Sequence, residues 1–389
     1  MALFWHRRDL RTADNRGLAR AAADDPPLPV FVLDPAVLEH AGPPRVAFLL
    51  EALASLRDRY RSLGGDLLVR EGDPVEVLPQ LADEHDVDRV VWNADYSGLA
   101  RERDERIERA LQSAGLEHET VHDALLHEPG SIRTNAGDPY QVYTPFWKKW
   151  REQEKDAPAA EPEDVAAVET GTLPKLADLG VEEPDAELPS AGQAAARDRL
   201  DSFFDGPIHR YAEDRDNPAS AGTSRLSADL SFGTVGVRDV WAATVEAMDA
   251  ATDDAERESV NEYRSQLAWR DFYAHVLHFN PGTVTENYVD YEHPIDWRDD
   301  PDELAAWTAG ETGYPIVDAG MRQLQDEAWM HNRVRMIVAS FLTKDLLVDW
   351  RHGYDHFREQ LVDHDTANDV GGWQWAASTG TDAQPYFRI

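Results

Sequence analysis

Four stretches of the chain combine residue types that bind or react. The first is Gly222-Thr223-Ser224-Arg225-Leu226-Ser227, which opens an amphipathic run. Thr223 or Ser224 is expected to cap a helix there. The same residues also suit an anion: free backbone N–H groups, hydroxyls and the positive end of a helix would face a phosphate. The second is Gln266-Leu267-Ala268-Trp269-Arg270-Asp271-Phe272-Tyr273, inside a long helical pattern. Gln266, Trp269 and Arg270 are spaced to share one face. An amide, an indole and a guanidinium together make a poor core and a good wall for a planar ligand. The third is Trp329-Met330-His331-Asn332-Arg333-Val334-Arg335-Met336. Asn332, Arg335 and Met336 share a face, and Arg333 points to another side, where a surface ion pair is the plain expectation. The fourth is Asp363-His364-Asp365-Thr366-Ala367-Asn368-Asp369, running into Gly371-Gly372-Trp373-Gln374-Trp375. It lacks the Gly and Glu of a calcium loop and reads as a loop of acceptors, glycines and indoles around a flat ring.

Tryptophan is dense in the second half: Trp241, Trp269, Trp297, Trp307, Trp329, Trp350, Trp373 and Trp375. Core packing accounts for part of this set. As a group they suggest ring stacking or electron transfer.

The elements that position these residues fall into two parts. Up to about residue 130, apolar runs at Ala2–Trp5, Leu28–Leu33, Asp66–Val69, Arg89–Trp92 and Leu116–Val121 alternate with helical periodicity. That alternation predicts a Rossmann-like parallel five-stranded sheet with helices on both faces. No G-x-G-x-x-G or G-x-x-x-x-G-K-[ST] accompanies it, so the usual phosphate cradles of such sheets are missing. Residues 131–192 are assigned to an interdomain linker; from about 152 they are rich in Ala, Pro, Glu and Asp and are expected to wrap the domains without chemistry. Residues 193–389 read as an all-α domain, with helices expected at Val260–Phe279, Gly320–Asp326, Asn332–Trp350 and Tyr354–Val362.

The chain has no cysteine, which excludes disulfides and thiolate chemistry. No apolar run approaches a membrane span, and a cytoplasmic protein is expected. The formal charge is −36, and only five of the 38 basic residues are lysine. With 12 Trp and 42% hydrophobic residues the chain is not a disordered acidic one. Such charge reads as adaptation to high salt, where self-repulsion is screened.

These motifs are similar to those of the DNA photolyase/cryptochrome family of blue-light flavoproteins. The resemblance runs from Trp5-His6-Arg7-Arg8-Asp9-Leu10-Arg11 to Trp373-Gln374-Trp375 and on through Tyr386-Phe387-Arg388-Ile389. Within the family the chain most resembles the microbial class I cyclobutane-pyrimidine-dimer photolyases. The resemblance implies FAD in the helical domain, with Tyr211, Thr223, Ser224, Arg225, Leu226 and Ser227 at its phosphates and ribityl chain. It implies Arg270, Asn332, Arg335, Asp363, Asp365 and Asp369 around the ring, with Asp345 pairing with Arg335. Trp269, Trp375, Met336, Asn332 and Gln266 would hold a dimer flipped out of UV-damaged DNA. Excited FADH− would then donate the electron that splits it. Trp297, Trp350 and Trp373 would carry electrons to the flavin from the surface. Arg333 and Arg388, with Lys148 and Lys149, would form a local basic face for DNA. An antenna chromophore, a deazaflavin or methenyltetrahydrofolate, would sit near Trp92–Ser97 and Arg101–Arg106.

Three positions depart from the family pattern. Asp369 stands where photolyases usually have Asn and plant cryptochromes have Asp. Gln266 stands where dimer photolyases usually carry Glu. The sequence stops at Ile389, where relatives continue for several tens of residues. The alternative implied by the first two is a cryptochrome-type photoreceptor with the same FAD site; a light-inert flavoprotein or plain helical domain is the third reading. A monomer is expected.

Overall fold

The computed structural model describes residues 1–382. Five strands form the predicted sheet: β1 (Ala2–His6), β2 (Leu28–Leu33), β3 (Leu68–Glu71), β4 (Arg89–Asn93) and β5 (Glu117–Val121). All pairings are parallel, in the order β3-β2-β1-β4-β5. Every residue of β1 and β2 is buried, as continuous apolar runs require when helices cover both faces. The covering helices include α1 (Arg16–Ala21), α2 (Pro43–Ser62), α3 (Pro74–Glu84) and α4 (Gly98–Ser113).

The rest of the described chain is helical. The elements that matter for function are α5 (Tyr143–Glu152), α6 (Ser227–Phe232), α7 (Asp254–Phe279), α8 (Pro315–Glu327), α9 (Asn332–Ser340), α10 (Trp350–Gln360) and α11 (Thr366–Ala377). No helix among the described residues is long and apolar enough to cross a membrane.

Between these parts the acidic, proline-rich segment wraps the molecule in extended form. The Asp14 N–H donates to the Ala159 carbonyl, Ala166 to Pro27 and Glu187 to Asp326, at 2.7–2.9 Å. Val165 and Leu176 are its buried apolar anchors. A buried ionic knot also joins the two parts: Arg238 Nε lies 2.6 Å from Asp14 Oδ1, and Arg11 and Arg238 both reach Asp123. All four side chains are at most 3% exposed. Removing one partner of such a pair strands a buried charge, at about 3–5 kcal/mol.

Three expectations about local structure are corrected. The predicted helix Asn332–Trp350 is broken. α9 ends at Ser340, one π turn covers Phe341–Asp345, and the chain leaves the helix before α10. Leu347 is left-handed (φ 57°), and the Asp349 carboxylate accepts from the Arg351 N–H to start α10. Apolar periodicity continues through the break, so spacing alone hides it. Second, neither Thr223 nor Ser224 caps a helix. Arg225 is left-handed (φ 51°), α6 begins at Ser227, and Leu226 at the cap position makes no side-chain bond. Third, Gly371–Trp375 is helix, not loop. Gly371 is needed for close packing there, since a Cβ would come 2.1 Å from the Tyr273 ring.

Candidate functional site

The contact at Gly371 presses α11 against α7. Along α7, Gln266, Trp269 and Arg270 are half-buried, while Leu267 and Ala268 between them are buried. Along α11, Asn368, Gly371 and Trp375 are half-buried on the corresponding spacing. α9 adds a third strip: Asn332 is exposed, Arg335 and Met336 are half-buried, and Val334 and Val338 are core. Three packed helices thus each keep a polar and aromatic strip out of the core, as a cleft wall requires.

Charged groups fix the head of α11. Arg335 donates from Nε to the Met330 carbonyl (2.8 Å) and from Nη2 to both Asp363 oxygens (3.0 and 2.7 Å). Burial opposes its charge, but Asp363 and Asp369 outweigh this and raise its pKa. Arg8, from the loop after β1, lies 2.7 Å from Asp365. Asp365 is the N-cap of α11 and accepts from the Asn368 N–H (3.1 Å). Burial would raise its pKa, yet the Arg8 and Arg270 guanidiniums hold it well below the carboxylate range. Arg270 itself donates to the carbonyls of Ala124 and Leu230. Burial lowers its pKa, with Asp365 opposing. The Asp369 carboxylate accepts from the Asp365 N–H at 3.1 Å. Asp345 is exposed on the π turn, so the partner of Arg335 is Asp363; the break after Ser340 explains this correction.

The wall residues are also placed. The Trp269 ring lies flat on Tyr143 of α5, with centroids 3.6 Å apart and planes 8° apart. Gln266 Nε2 donates to the Glu262 carbonyl and carboxylate and to Ser265 Oγ, at 2.9–3.2 Å. The Met336 sulfur is 3.9 Å from Asn332 Nδ2 and 3.8 Å from Arg333 Nη1. Arg333 and Arg335 do meet different partners, Asp216 and Asp363. Trp375 sits on α11, one turn beyond Gly371 and Gly372.

The Gly222–Ser227 stretch is tied to the same region. Tyr263 OH donates to Ser224 Oγ (3.1 Å), and Tyr211 packs edge-on against Tyr263 (5.2 Å). Arg225 lies over the Trp329 ring at 4.0 Å and pairs with Glu327. The Trp329 indole N–H reaches Ser227 Oγ (3.2 Å), and Leu226 is buried. Thr223, Arg225, Trp329 and His331 border a recess of about 260 Å³. His331 Nε2 is buried and has no protein partner among the described residues.

Of the three relay candidates, Trp373 and Trp350 are buried in one apolar cluster and Trp297 packs on its edge, half-exposed. A Cβ at Gly353, one turn after Trp350, would lie 2.1 Å from the Trp373 ring. Two of the three indoles are thus core residues and the third lies at the edge of the same cluster. Trp307, to which sequence reading gave no role, is fully buried, edge-on to Trp373 at 6.0 Å. Arg388 lies outside the described residues. Lys148 is exposed and Lys149 half-buried, both on α5.

A second cavity, of about 450 Å³, opens at the carboxyl ends of the strands. Trp5–Arg8 after β1, Phe31–Asp34 at the end of β2, and Asp95 with Ser97–Ala100 and Arg103 after β4 line it. The strand order places β2 and β4 on either side of β1, where connections leave in opposite directions. Such a switch point is where open α/β sheets bind ligands. Arg45, Tyr354, Arg358 and His364 close its far side. Of the stretches expected here, Trp92–Ser97 and Arg101–Arg106, only Asp95, Ser97 and Arg103 border the cavity; Trp92, Arg101 and Arg106 do not, and Asn93, Ala94 and Tyr96 line a smaller neighbouring one. Sequence reading missed Arg8, Tyr143 and His364. Arg8 and His364 stood inside quoted motifs, but nothing in their spacing showed which way they face.

Comparison with known proteins agrees with this arrangement. Residues 2–163 match the family model described as DNA photolyase, and residues 263–389 match the FAD binding domain of DNA photolyase. The chain is 61% identical to a deoxyribodipyrimidine photo-lyase of Halobacterium salinarum, over all of this chain and 84% of that protein. Among solved structures, a class III photolyase of Agrobacterium tumefaciens superposes with a TM-score of 0.91 at 37% identity, covering 100% of this chain and 82% of that one. An archaeal photolyase of Sulfolobus tokodaii containing two FAD molecules gives 0.84 at 30% identity, covering 100% and 85%.

Proposed function

Since this chain belongs to the DNA photolyase family, we propose that it repairs cyclobutane pyrimidine dimers in DNA, driven by light through FAD. The observation that carries the reading is the charge cluster Arg8–Asp365 and Arg335–Asp363, half-buried except for the buried Asp363, at the head of the helix that bears Trp373 and Trp375, packed against the helix that bears Trp269.

The donor set suits a flavin dinucleotide. Arg335 uses Nε and Nη2 within the described residues, which leaves Nη1 for a ring-edge acceptor. Thr223, Arg225 and His331 border one recess, and the buried His331 Nε2 has no partner among the described residues. We assign Tyr211 and Thr223–Ser227 to the phosphates and ribityl chain, and Arg270, Asn332, Arg335, Asp363, Asp365 and Asp369 to the ring. Bound and reduced, FAD supplies an electron donor of high energy when excited by light. Arg335 favours an anionic ring by Coulomb attraction in a site of low dielectric.

Photolyases are among the enzymes that extrude their target from the stack, and a dimer costs less to extrude than a paired base. Trp269, held flat by Tyr143, and Trp375 offer aromatic faces that recover stacking, with Met336, Asn332 and Gln266 beside them. Trp373, Trp350 and Trp297 form the route for reducing the bound cofactor. A second chromophore is assigned to the 450 Å³ cavity.

The test is direct. FAD-loaded protein, chemically reduced, is illuminated with dimer-containing DNA, and restored pyrimidines are counted. Light-dependent repair that Trp375→Ala abolishes supports the reading. No repair by a protein that holds reduced FAD turns the assignment to a photoreceptor.

A further inference from the structure

The amide of Gln266 stands on the cleft strip of α7 with Trp269 and Arg270, and its orientation is fixed from within that helix. Nε2 donates to the Glu262 carbonyl (3.2 Å), to Glu262 Oε1 (3.1 Å) and to Ser265 Oγ (2.9 Å). Ser265 Oγ accepts this bond because its own proton goes to the Glu262 carbonyl (2.9 Å). Arg215 pairs with the Glu262 carboxylate, which in that ion pair offers acceptors only. Turned the other way, the amide would set its oxygen against a carbonyl and a carboxylate. Both N–H groups are therefore spent on the helix. Oε1, which has no partner among the described residues, is the atom left for the cleft.

We propose that Glu262 is a positioning residue that makes Gln266 a pure acceptor, so that the site selects dimers whose rings carry an imide N–H, thymine or uracil, over dimers of cytosine. The inference rests on the reading of the cleft as a site for a flipped-out pyrimidine dimer. An unrestrained amide is ambivalent, because it turns to present N–H or C=O as the ligand demands. The locked amide acts as a carboxylate would, without its charge. The polar edge of a thymine or uracil ring has one donor, N3–H, between two carbonyls, and joining the rings at C5 and C6 leaves that edge intact. A cytosine ring has a lone pair at N3 and an amino group in place of one carbonyl. An acceptor placed for N3–H therefore meets a second acceptor, and both are left unpaired. In a site that excludes most water, that loss exceeds the gain of the bond itself.

The surroundings of Glu262 fit this role. Its side chain is 40% exposed, so it fills no core space and its removal leaves no buried cavity. Ser265, which is buried, is the pivot. Its carbonyl accepts from Tyr143 OH (2.6 Å), and Tyr143 lies flat on Trp269. The helical turn that orients the amide thus also holds the support of the neighbouring indole, and one rigid frame presents an acceptor for a ring's edge and a plane for its face. Arg215 also lies 3.8 Å from Asp216, which pairs with Arg333. These charges act on phosphates whatever base follows, so they cancel when two dimers in one DNA sequence are compared.

The experiment titrates FAD-loaded protein in the dark with oligonucleotides that differ only in the dimer: thymine–thymine, uracil–uracil or cytosine–cytosine. The uracil dimer lacks methyl groups, as cytosine does, and so isolates N3–H. Wild type should bind the thymine and uracil dimers about tenfold more tightly than the cytosine dimer. Glu262→Ala should bring that ratio close to one, with FAD content and light-driven flavin reduction as in wild type. Adding Gln266→Glu to Glu262→Ala should restore the ratio, because a carboxylate is an acceptor in every orientation. Equal binding of uracil and cytosine dimers by wild type overturns the proposal, and so does a ratio that survives Glu262→Ala. A ratio lost in Glu262→Ala that Gln266→Glu cannot restore overturns it too, because that is the signature of a merely structural role. A further measurement needs no variant. As the cytosine dimer deaminates to its uracil form in solution, the affinity of wild type should rise to that of the uracil dimer, and a constant affinity refutes the selection. No preference for any dimer over intact DNA would instead refute the reading of the cleft as a dimer site.

Discussion

Replacing Arg335 with Met separates the structural and the functional work of the cradle. The Asp363 side chain is 1% exposed, and both its oxygens accept from Arg335 Nη2. Met leaves that carboxylate buried without its cation, which costs about 3–5 kcal/mol in pairs of this kind. The double variant Arg335→Met/Asp363→Leu removes both charges at similar volume, and such replacements are close to neutral in stability. Urea unfolding of the FAD-free proteins should therefore rank wild type and double variant together and the single variant well below. FAD at about one hundred times its Kd should add about 2.7 kcal/mol to wild type by linkage. It should add little to the double variant, which has the packing and lacks the cation. A double variant that gains the full increment would refute the placement of the ring beside Arg335. A single variant as stable as wild type would refute the burial argument itself.

Trp373→Phe should stop light-driven reduction of oxidised FAD while leaving repair by pre-reduced protein nearly intact, as read by flavin absorbance and dimer counting. Asp271 is buried, its Oδ1 has no partner among the described residues, and burial raises its pKa to about 6 against the Trp150 and backbone hydrogen bonds. The folded protein thus holds a proton that the unfolded chain has lost between about pH 4 and 6, so stability falls as pH rises through that window and is level above it. Asp271→Asn should flatten the window and raise the thermal midpoint at neutral pH. Lys148→Ala/Lys149→Ala should weaken binding to damaged and intact DNA alike and reduce the salt slope by about 1.8; an unchanged slope would remove α5 from the interface.

The sheet was legible because five apolar runs at strand length, separated by amphipathic helices, admit one architecture. All five strands lie within two residues of their expected positions. The helical half was legible as helix but not in its interruptions. Leu347 and Arg225 are left-handed at residue types that do not advertise it, so one long helix was expected where two stand and a cap where there is a turn. Face sharing on α7 and α9 followed from spacing, because helix geometry is local. What met those faces did not, because Arg8 reaches Asp365 across more than 350 residues of chain. The same holds for Tyr143 under Trp269 and for His364, whose neighbours on either side turn the opposite way.

The net charge of −36 and a polyanionic substrate are reconciled by where the cations stand. Arginines near the cleft are mostly committed: Arg333 to Asp216, Arg215 to Glu262, Arg225 to Glu327, Arg335 to Asp363. A paired arginine contributes little net attraction to a phosphate. The lysines are different. Three of the five, Lys148, Lys149 and Lys155, fall on or just after α5, the helix whose Tyr143 stacks under Trp269. Lys155 is spent on the Trp150 ring, at 3.9 Å, which leaves Lys148, exposed, and Lys149, half-buried, beside the aromatic wall. At molar salt the screening length is about 3 Å, so the acidic surface repels DNA only at contact and two lysines suffice to position a backbone. Selectivity for a dimer then rests on stacking, worth roughly 1–3 kcal/mol per base, which salt does not screen. An acidic surface that keeps the protein hydrated in brine and a cleft that recognises damage by its rings are therefore compatible, provided that the cations are few and adjacent to the rings.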